Sequence, residues 1–436
     1  MAWFLVTVAA GAYRKWRFYP VCLACLVRRS RIMSLGINGF YEMDTSSFLD
    51  IGNTSSRQSG TLSSATADPT RTGLHPLCAV DLFAGAGGFS AAASRVGIRV
   101  VAAVEKDKHA CSTYRENLID GCDDPDVAPT LYATDILELT PDTLRNAHFA
   151  GDRACDIVLG GPPCQGFSVH RIKNAGVDDP RNKLILSYFR FVKCLQPRVF
   201  LMENVPGLLW PRHRDFLRDF LHESRDAGYR ILGPTPLDAR DYGIPQRRKR
   251  IFILGIRRDA HFDETVWPPA PTHGNAKARE QNPLLMAWVS AASIFEKSAP
   301  KDDENDRHMN HSPKLVETFE STPLNGGSRR ESGRVLPCHD GHNGHSDVYG
   351  RIDPNVPGPT MTTACINPSK GRFVHPTEPH GITVRQAARF QTFPDTFVFK
   401  GGLMAAGAQI GNAVPVQLGE VLLRALSRGL TVDPDV

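Results

Sequence analysis

One short segment carries a cysteine in a setting that suits a nucleophile. The block GGPPCQGFS, residues 160–168, follows an apolar run and places Cys164 directly after two prolines, the second being Pro163. Proline fixes its own φ, so the approach to the thiol is stiff. Free cysteines are usually buried structural residues, but the glycines and the polar Gln165 and Ser168 argue against burial here. A papain-like peptidase is disfavoured, because no partner His held by Asn or Asp is evident.

A glutamate and a basic run could complete a catalytic pocket with this cysteine. Glu203 lies in the block MENVP at the end of an apolar run, where a carboxylate could hydrogen-bond to or protonate a ring nitrogen of a substrate. The basic run QRRKR, residues 246–250, leads into another apolar strand. Because alternate residues of a strand share a face, Arg248 and Arg250 are predicted to point together into the site.

A glycine-rich turn and two acidic residues indicate a nucleoside-type ligand. The block DLFAGAGGFS places glycines between a strand and a helix, where the missing Cβ atoms let the backbone approach a ligand closely. These glycines are Gly85, Gly87 and Gly88. Glu105 ends the next strand, at a spacing that suits a carboxylate accepting from ribose hydroxyls, and Asp135 and Ile136 follow a third short strand. The turn is not G-x-G-x-x-G, so a nucleoside without a pyrophosphate fits better than a dinucleotide.

Strands and helices that alternate along the chain must position these residues. The predicted strands are Leu77–Phe83, Ile98–Glu105, Cys155–Gly161, Arg198–Asn204 and Ile251–Ile256, and the predicted helices are Asp107–Leu118, Lys183–Leu195 and Arg212–Ala227. Near-continuous apolar strands that alternate with helices indicate an α/β fold with a parallel sheet covered on both faces. Such sheets bind ligands beyond the carboxyl ends of their strands, and the motifs above lie at those ends.

The composition excludes several classes of protein. The chain has 436 residues, of which 41% are hydrophobic and 22% charged, so a fibrous or wholly disordered protein is excluded. No apolar run reaches ~18 residues, which excludes a multi-span membrane protein. The net charge of +5 permits an anionic partner without requiring one. The ten cysteines are scattered, mostly within apolar runs, which is typical of free thiols in a reducing, cytoplasmic compartment.

Residues 1–73 are predicted to be a poorly structured extension. The apolar run Trp3–Ala10 precedes the basic residues, whereas a secretory signal carries its charges first, so export is not expected. Cys22 and Cys25 have zinc-finger spacing but supply only half the ligands of a structural zinc site, so no metal is predicted.

Taken in order, the blocks resemble the DNA (cytosine-5)-methyltransferase family, of the bacterial restriction-modification type. DLFAGAGGFS is similar to the first cofactor motif, GGPPCQGFS to the nucleophile motif, and MENV and QRRKR to the blocks that complete the catalytic pocket. The two closing motifs are matched by Gly381–Asp395 (GITVRQAARFQTFPD) and Gln409–Pro415 (QIGNAVP). Any one block alone would be weak, but their joint, ordered occurrence is specific. The resemblance implies the Rossmann-like fold of S-adenosylmethionine-dependent methyltransferases, with a mostly parallel sheet and a smaller, mainly irregular or β target-recognition domain.

The resemblance implies methyl transfer from S-adenosylmethionine to C5 of cytosine. Cys164 would add to C6 of the base, and Glu203 would stabilise the adduct through N3 and the exocyclic amine. Arg250 would contact the cytosine carbonyl or its sugar-phosphate, with Arg248 in support. The target atoms are inaccessible within a stacked duplex, so the base must be flipped out. No metal is implied.

The resemblance also implies a set of cofactor contacts. Glu105 would bind the ribose, Asp135 the adenine amine, and Ile136 would pack on the adenine. The remaining contacts would come from Phe83, Gly85, Gly87, Gly88, the Pro163 backbone, Asn412 and Val414. Lys106 departs from the family pattern, since some relatives place an aromatic or branched apolar residue there, and its aliphatic stem could take that place.

Double-stranded DNA is the implied partner. The segment Gly166–Asn182 resembles the mobile loop that closes over the flipped base. The implied DNA-binding residues are Gln165, Ser168, His170, Arg181, Gln246 and Thr360. In the polar region that follows, the run NGGSRR from Asn325 is a candidate phosphate- or groove-contacting loop. The run from Cys338 to His345 looks metal-like, but its spacing matches no known zinc pattern, and a DNA-facing loop is favoured.

The resulting domain organisation is discontinuous. Residues 74–257 form the predicted catalytic domain, residues 258–380 the target-recognition domain, and residues 381–436 return to the catalytic domain. We expect a monomer with no membrane association. A cognate restriction endonuclease, acting independently, is the expected functional partner.

Two other functions remain open from the sequence. A tRNA cytosine-5 methyltransferase shares the catalytic motifs, but the Cys-Phe-Thr signature of that branch is not found here. A non-catalytic DNA-binding protein that kept the fold would be marked by loss of Cys164 or Glu203, and both are present.

Overall fold

The computed structural model describes residues 76–122, 124–151, 153–163, 182–333 and 348–431. All of these belong to one compact unit, residues 64–436. The predictions for the N-terminal extension, for Cys22 and Cys25, and for the run from Cys338 to His345 fall outside the described residues. So do those for Cys164, Gln165, Ser168, His170 and Arg181, and all of them stay predictions.

A seven-stranded sheet with the order β3-β2-β1-β4-β5-β7-β6 forms the centre of the fold. Its strands are β1 (Cys78–Leu82), β2 (Arg99–Glu105), β3 (Thr130–Ala133), β4 (Ile157–Gly160), β5 (Val199–Asn204), β6 (Tyr229–Asp238) and β7 (Lys249–Arg257). The first five strands pair in parallel, and only β7 is reversed, antiparallel to both β5 and β6. The predicted mostly parallel α/β sheet is therefore confirmed.

Strand β6 and the reversal of β7 were not predicted. The segment that forms β6 contains Gly233, Pro234 and Pro236, which disfavour a strand in any sequence-based prediction. In the structure β6 is the edge of the sheet, where a missing backbone N–H can be tolerated, and its register with β7 shifts between Leu232 and Thr235.

Helices cover both faces of this sheet. The α-helices of the described residues are α1 (Gly88–Arg95), α2 (Lys108–Leu118), α3 (Pro141–His148), α4 (Asn182–Leu195), α5 (Arg214–Asp226), α6 (Ala276–Gln281), α7 (Ala292–Phe295), α8 (Pro313–Glu320), α9 (Val384–Phe390), α10 (Leu403–Asn412) and α11 (Val416–Thr431). Alternate residues of β4 belong to different cores: Ile157 and Leu159 pack with α1 and α11, whereas Val158 packs with α4 and α5. Two hydrophobic cores therefore fix the sheet from opposite sides.

The last helices pack directly on the first part of the sheet. Helix α11 lies against α1, so the end of the chain returns to its first βα unit. A capping box begins α9: Thr383 accepts from the backbone N–H of Gln386, and the Gln386 side chain accepts from the backbone N–H of Thr383.

The described part of residues 258–380 has little regular structure. It contains three short helices and two strands of two residues each, β8 (His273–Gly274) and β9 (Met286–Ala287). A buried arginine, Arg351, organises its backbone by donating to the carbonyl oxygens of Phe319, Thr322 and His375, among others. These side chain–backbone hydrogen bonds supplement the hydrophobic core, to which this region contributes Ile294, Ile352 and Phe373.

Four neighbouring histidines connect this region to the segment that precedes α9. The rings of His308 and His380 stack with centroids 4.0 Å apart, and His311 and His375 flank them. The Nδ1 atom of His375 accepts from the backbone N–H of Glu378 at 3.0 Å, which requires an unprotonated nitrogen. Burial, with the nearby His380 and Arg351, lowers the pKa of His375 to about 4.

We expect this histidine to make the fold acid-sensitive. Its folded pKa lies below the ordinary value of about 6.5, so its stabilising contribution is present above pH 6.5 and is lost as the pH falls towards about 4. In His375→Asn the amide oxygen can still accept from Glu378, but the residue cannot be protonated. Urea unfolding at pH 7 and pH 5 should show the natural protein losing about 1–2 kcal/mol more than the variant between these pH values. Equal losses would contradict this assignment.

Candidate active site

Parallel pairing brings the sequence motifs to one edge of the sheet. Leu82 at the end of β1 pairs with Gly160 at the end of β4, and Gly160 pairs with Met202 in β5. The glycine turn follows β1, the GGPP turn begins at the last residue of β4, and Glu203 lies in β5 next to Met202. Glu105 ends β2 on the other side of β1. The predicted cofactor and catalytic residues therefore meet at the carboxyl ends of the strands.

The glycine turn after β1 has the backbone of a ligand-binding turn. Phe83, Gly85 and Gly87 all have positive φ, at 59°, 57° and 92°. A Cβ added at Gly85 would meet nothing within 4 Å, so the turn opens onto free space there. The Gly85 N–H donates to Glu105 Oε2 at 2.8 Å, which ties the turn to the end of β2.

Glu105 is held in a fixed orientation by backbone groups. Its Oε1 atom accepts from the backbone N–H groups of Lys106 and Asp107 at 2.8 and 2.7 Å. Asp135 lies nearby: its Oδ2 atom is 2.9 Å from Lys106 Nζ. The backbone N–H of Leu137 and, to a lesser extent, Lys106 lower the pKa of Asp135, so it is a carboxylate at neutral pH. The Lys106 ammonium group thus pairs with Asp135, the residue predicted to bind the adenine amine.

The other wall of this space comes from the C-terminal part of the chain. A Cβ on Gly88 would lie 2.6 Å from the carbonyl oxygen of Val414, so only glycine allows this approach. Asn412, the last residue of α10, is exposed, and Val414 is buried. Ile136 is buried behind Asp135. The structure therefore gathers the predicted cofactor residues, including the half-buried Phe83 and Pro163, at the same edge of the sheet.

Asp81 is a buried acid that the sequence analysis did not single out. It lies within β1, accepts from Ser90 Oγ at 2.6 Å, and Ser90 in turn accepts from the Tyr114 hydroxyl at 2.8 Å. Burial raises the pKa of Asp81 to about 7, and the neighbouring Glu105 adds to the shift. An acidic residue inside an otherwise apolar strand, directly before the glycine turn, was the available signal.

Glu203 and Arg250 form an ion pair at the predicted catalytic pocket. Glu203 is only 8% exposed, and its Oε1 atom lies 2.7 Å from Arg250 Nε. Its Oε2 atom lies 3.2 Å from the position that a Cβ on Gly161 would take, so the carboxylate is directly against the GGPP turn. The adjacent residue Asn204 donates to the Pro162 carbonyl at 3.5 Å. Glu203 thus lies beside the turn that leads into Cys164.

Arg248 and Gln246 do not occupy the predicted positions. Arg248 is fully buried and donates to the carbonyl oxygens of Met361, Gly411 and Ala413, so the expectation that it points into the site with Arg250 does not hold. Strand β7 begins only at Lys249, so strand alternation does not govern Arg248. Gln246, expected to contact DNA, is also fully buried.

The exposed members of the QRRKR run are Arg247 and Lys249. The half-buried Thr360 donates from its hydroxyl to the Arg247 carbonyl, which holds this part of the run in place. Within the described ranges, no group of three or more His, Cys, Asp or Glu side chains could hold a metal ion. No helix in those ranges is long and apolar enough to cross a membrane.

The mostly parallel seven-stranded sheet, with the sequence motifs at the carboxyl ends of its strands, defines an α/β fold of the methyltransferase type. The family described as C-5 cytosine-specific DNA methylase matches residues 77–428. The chain therefore belongs to this family of DNA cytosine-5 methyltransferases, whose methyl donor is S-adenosylmethionine.

Characterised relatives agree with this assignment. Type II methyltransferase M1.HphI of Haemophilus parahaemolyticus is 33% identical over 351 residues, which cover 80% of this chain and 86% of the relative. Type II methyltransferase M.XorII of Xanthomonas oryzae pv. oryzae is 31% identical, with 82% and 86% covered. A solved DNA modification methyltransferase encoded within an E. coli prophage has a TM-score of 0.60 and 26% identity, covering 82% of this chain and all of that chain. These findings support sequence-specific DNA cytosine methylation over the tRNA and non-catalytic alternatives.

We expect Gly88→Ala to destabilise the fold at the seam between α1 and the C-terminal segment. The new Cβ would meet the backbone oxygen of Val414, which cannot move independently of its segment. Overpacking of this kind costs about 1–3 kcal/mol of unfolding free energy, measurable by urea denaturation. In the control Gly402→Ala the new Cβ meets nothing within 4 Å, and because Gly402 is the N-cap of α10, where Ala is less favourable than Gly, the loss of stability should stay below about 1 kcal/mol. Equal stability of both variants would show that Val414 does not lie against Gly88.

Proposed function

We propose that this enzyme methylates C5 of cytosine within one short duplex DNA sequence through a covalent adduct with Cys164. The observation that carries the proposal is the Glu203–Arg250 pair, which lies against Gly161 at the turn that leads into Cys164. The open glycine turn and the carboxylates of Glu105 and Asp135 lie at the same edge of the sheet.

The chemistry follows from the weak nucleophilicity of cytosine C5. The Cys164 thiolate adds to C6, and electron density moves into the ring so that C5 becomes nucleophilic and can accept a methyl group. Loss of the C5 proton and elimination of the thiolate then restore the aromatic ring and the free enzyme. When bound, S-adenosylmethionine would supply the electrophilic methyl group, with S-adenosylhomocysteine as the leaving group.

Glu203 stabilises the adduct at N3 and the exocyclic amine, where charge develops during thiolate addition. Arg250 holds the Glu203 carboxylate at 2.7 Å and so fixes its direction before the base arrives. The Arg250 side chain is 13% exposed, which leaves part of the guanidinium free to contact the cytosine carbonyl or its phosphate. Pre-organisation of this pair in a shielded site lowers the cost of reorganisation during catalysis.

The cofactor fits the opposite part of this edge. Open space at Gly85 allows the ligand to approach the turn, and Glu105 and Asp135 offer acceptors for the ribose hydroxyls and the adenine amine. Ile136 supplies an apolar surface for the adenine, and Asn412 and Val414 close the pocket. The further contacts are assigned to Phe83, Gly87, Gly88 and the Pro163 backbone.

DNA binds across the exposed side of this edge. Arg247 and Lys249 offer exposed cations next to Arg250, and such cations suit phosphate contacts. Thr360 holds the backbone beside them. In the proposed target-recognition domain, residues 258–380, the loop from Asn325 presents an exposed Arg330. Gln165, Ser168, His170 and Arg181 are assigned to the loop that closes over the flipped base.

The biological role that we propose is protection of DNA from a cognate restriction endonuclease that acts independently. Both named relatives are Type II methyltransferases. We further propose that the enzyme acts in the cytoplasm as a monomer, with residues 74–257 and 381–436 as its catalytic domain and residues 1–73 as an extension.

The decisive experiment is expression in a host that lacks cytosine methylation, followed by base-resolution conversion sequencing of the genome. We expect 5-methylcytosine at one short motif, and none with Cys164→Ala. The matched control is Cys122→Ala, at a half-buried cysteine outside every motif, which should keep the natural pattern. Folded protein that leaves the genome unmodified would refute the DNA substrate. Methylation that persists in Cys164→Ala would refute the nucleophile.

Asp135 should contribute directly to cofactor affinity, whereas Lys106 should not. Replacing Asp135 by Ala removes the acceptor for the adenine amine, and we expect S-adenosylhomocysteine to bind about tenfold more weakly by isothermal titration calorimetry. The control Lys106→Met removes the ion pair to Asp135 but keeps an aliphatic stem, and its affinity should stay within about threefold of the natural protein. The reverse order of effects would assign the adenine contact to Lys106.

A further inference from the structure

Three fully buried polar side chains form a cluster below the catalytic edge: Gln246, Arg248 and Gln391. Arg248 donates to the carbonyl oxygens of Met361 at 3.0 Å, Gly411 at 3.0 Å and Ala413 at 2.8 Å. All three hydrogen bonds of this guanidinium thus go to the backbone of segments more than a hundred positions further along the chain.

A buried cation that bonds only to carbonyl groups is expensive to keep. Desolvation lowers the pKa of Arg248 well below its ordinary value, with the neighbouring Arg250 adding to the effect. Transfer of a charge from water costs several kcal/mol unless good partners replace the solvent. Two of the three partners, the carbonyl groups of Gly411 and Ala413, lie at the C-terminal end of α10, where carbonyl groups have no donor inside the helix and carry its partial negative charge.

The two glutamines extend the same cluster. Gln391 donates to the Ile410 carbonyl at 2.6 Å and shares the Ala413 carbonyl with Arg248, at 2.8 Å. Gln246 donates to the Gln391 side-chain oxygen at 2.7 Å and accepts from the Met361 N–H at 2.8 Å. The turn at residues 410–413 is therefore held by side-chain donors from two other segments.

This turn is the C-terminal wall of the proposed cofactor pocket. Gly411 is so close to Thr362 that a Cβ would lie 2.2 Å from its carbonyl carbon, and Val414 lies against Gly88 in the same way. In the other direction, Arg248 precedes Arg250 by two residues, and Arg250 pairs with Glu203. One guanidinium thus connects the wall of the cofactor pocket to the strand that carries the catalytic ion pair.

We infer that Arg248 is a positioning residue for the cofactor: it holds the Asn412–Val414 wall in register with β7 without touching either substrate. This inference rests on the proposed function and departs from a role for Arg248 at the cytosine. A residue that acts through the wall should affect cofactor affinity first. A residue that touches cytosine should affect kcat and the KM for DNA, and leave cofactor affinity unchanged.

The test compares Arg248→Met and Arg248→Lys with Arg250→Met. Calorimetry with S-adenosylhomocysteine in the absence of DNA should show about tenfold or more weaker binding for Arg248→Met and an intermediate loss for Arg248→Lys, since lysine keeps the charge but bonds fewer carbonyls. The KM for S-adenosylmethionine should rise in parallel, with the KM for DNA within about threefold. Arg250→Met should do the opposite, with a reduced kcat and unchanged S-adenosylhomocysteine affinity.

A second variant keeps the inference testable if Arg248→Met does not fold. Gln391→Met removes one of the two donors to the Ala413 carbonyl without removing a charge, and it should weaken S-adenosylhomocysteine binding while the KM for DNA stays unchanged. The inference is overturned if the natural protein binds S-adenosylhomocysteine and methylates DNA, but folded Arg248→Met or Gln391→Met binds S-adenosylhomocysteine as tightly as the natural protein does. If the natural protein binds no S-adenosylhomocysteine, the proposed function itself fails, so the two failures are distinguishable.

Discussion

Parallel pairing of β1, β4 and β5 is the constraint on which the rest of the site depends. In a parallel sheet all neighbouring strands end at the same edge, so the segment that follows each strand is delivered to one place. The register sets Leu82, Gly160 and Met202 side by side. The glycine turn, the GGPP turn and Glu203 therefore become neighbours although they are far apart in the sequence.

The site also requires the last helices of the chain to pack against its first βα unit. Helix α11 packs on α1, and the contact of Val414 with Gly88 leaves no room for a side chain at that glycine. The proposed cofactor pocket thus has one wall from the first βα unit and another from the last helices. Contacts made by the buried cluster of Gln246, Arg248 and Gln391 keep these walls in register with β7, which carries Arg250.

Buried charge is handled in three different ways around this edge. Glu203 is neutralised by Arg250 at 2.7 Å, and this pair remains partly accessible for a substrate. Arg248 and Arg351 use backbone carbonyls in place of acidic partners, which ties distant segments together. Asp81 has no ion-pair partner among the described residues, and burial raises its pKa to about 7, so it changes protonation near neutral pH. Each solution depends on which polar groups the neighbouring elements place within reach of the buried side chain.

The sequence by itself determined the alternating α/β fold, the edge at which the motifs meet, and the family. Strand and helix periodicity and a few glycines and acids encode these features locally, so Glu105, Asp135 and Glu203 could be placed in advance. Only the tertiary structure decided the reversal of β7, the edge strand β6, and the burial of Arg248 and Gln246. Those outcomes depend on which distant carbonyl groups surround a side chain, and no local pattern in QRRKR distinguishes an arginine that faces a substrate from one that holds the backbone of another segment.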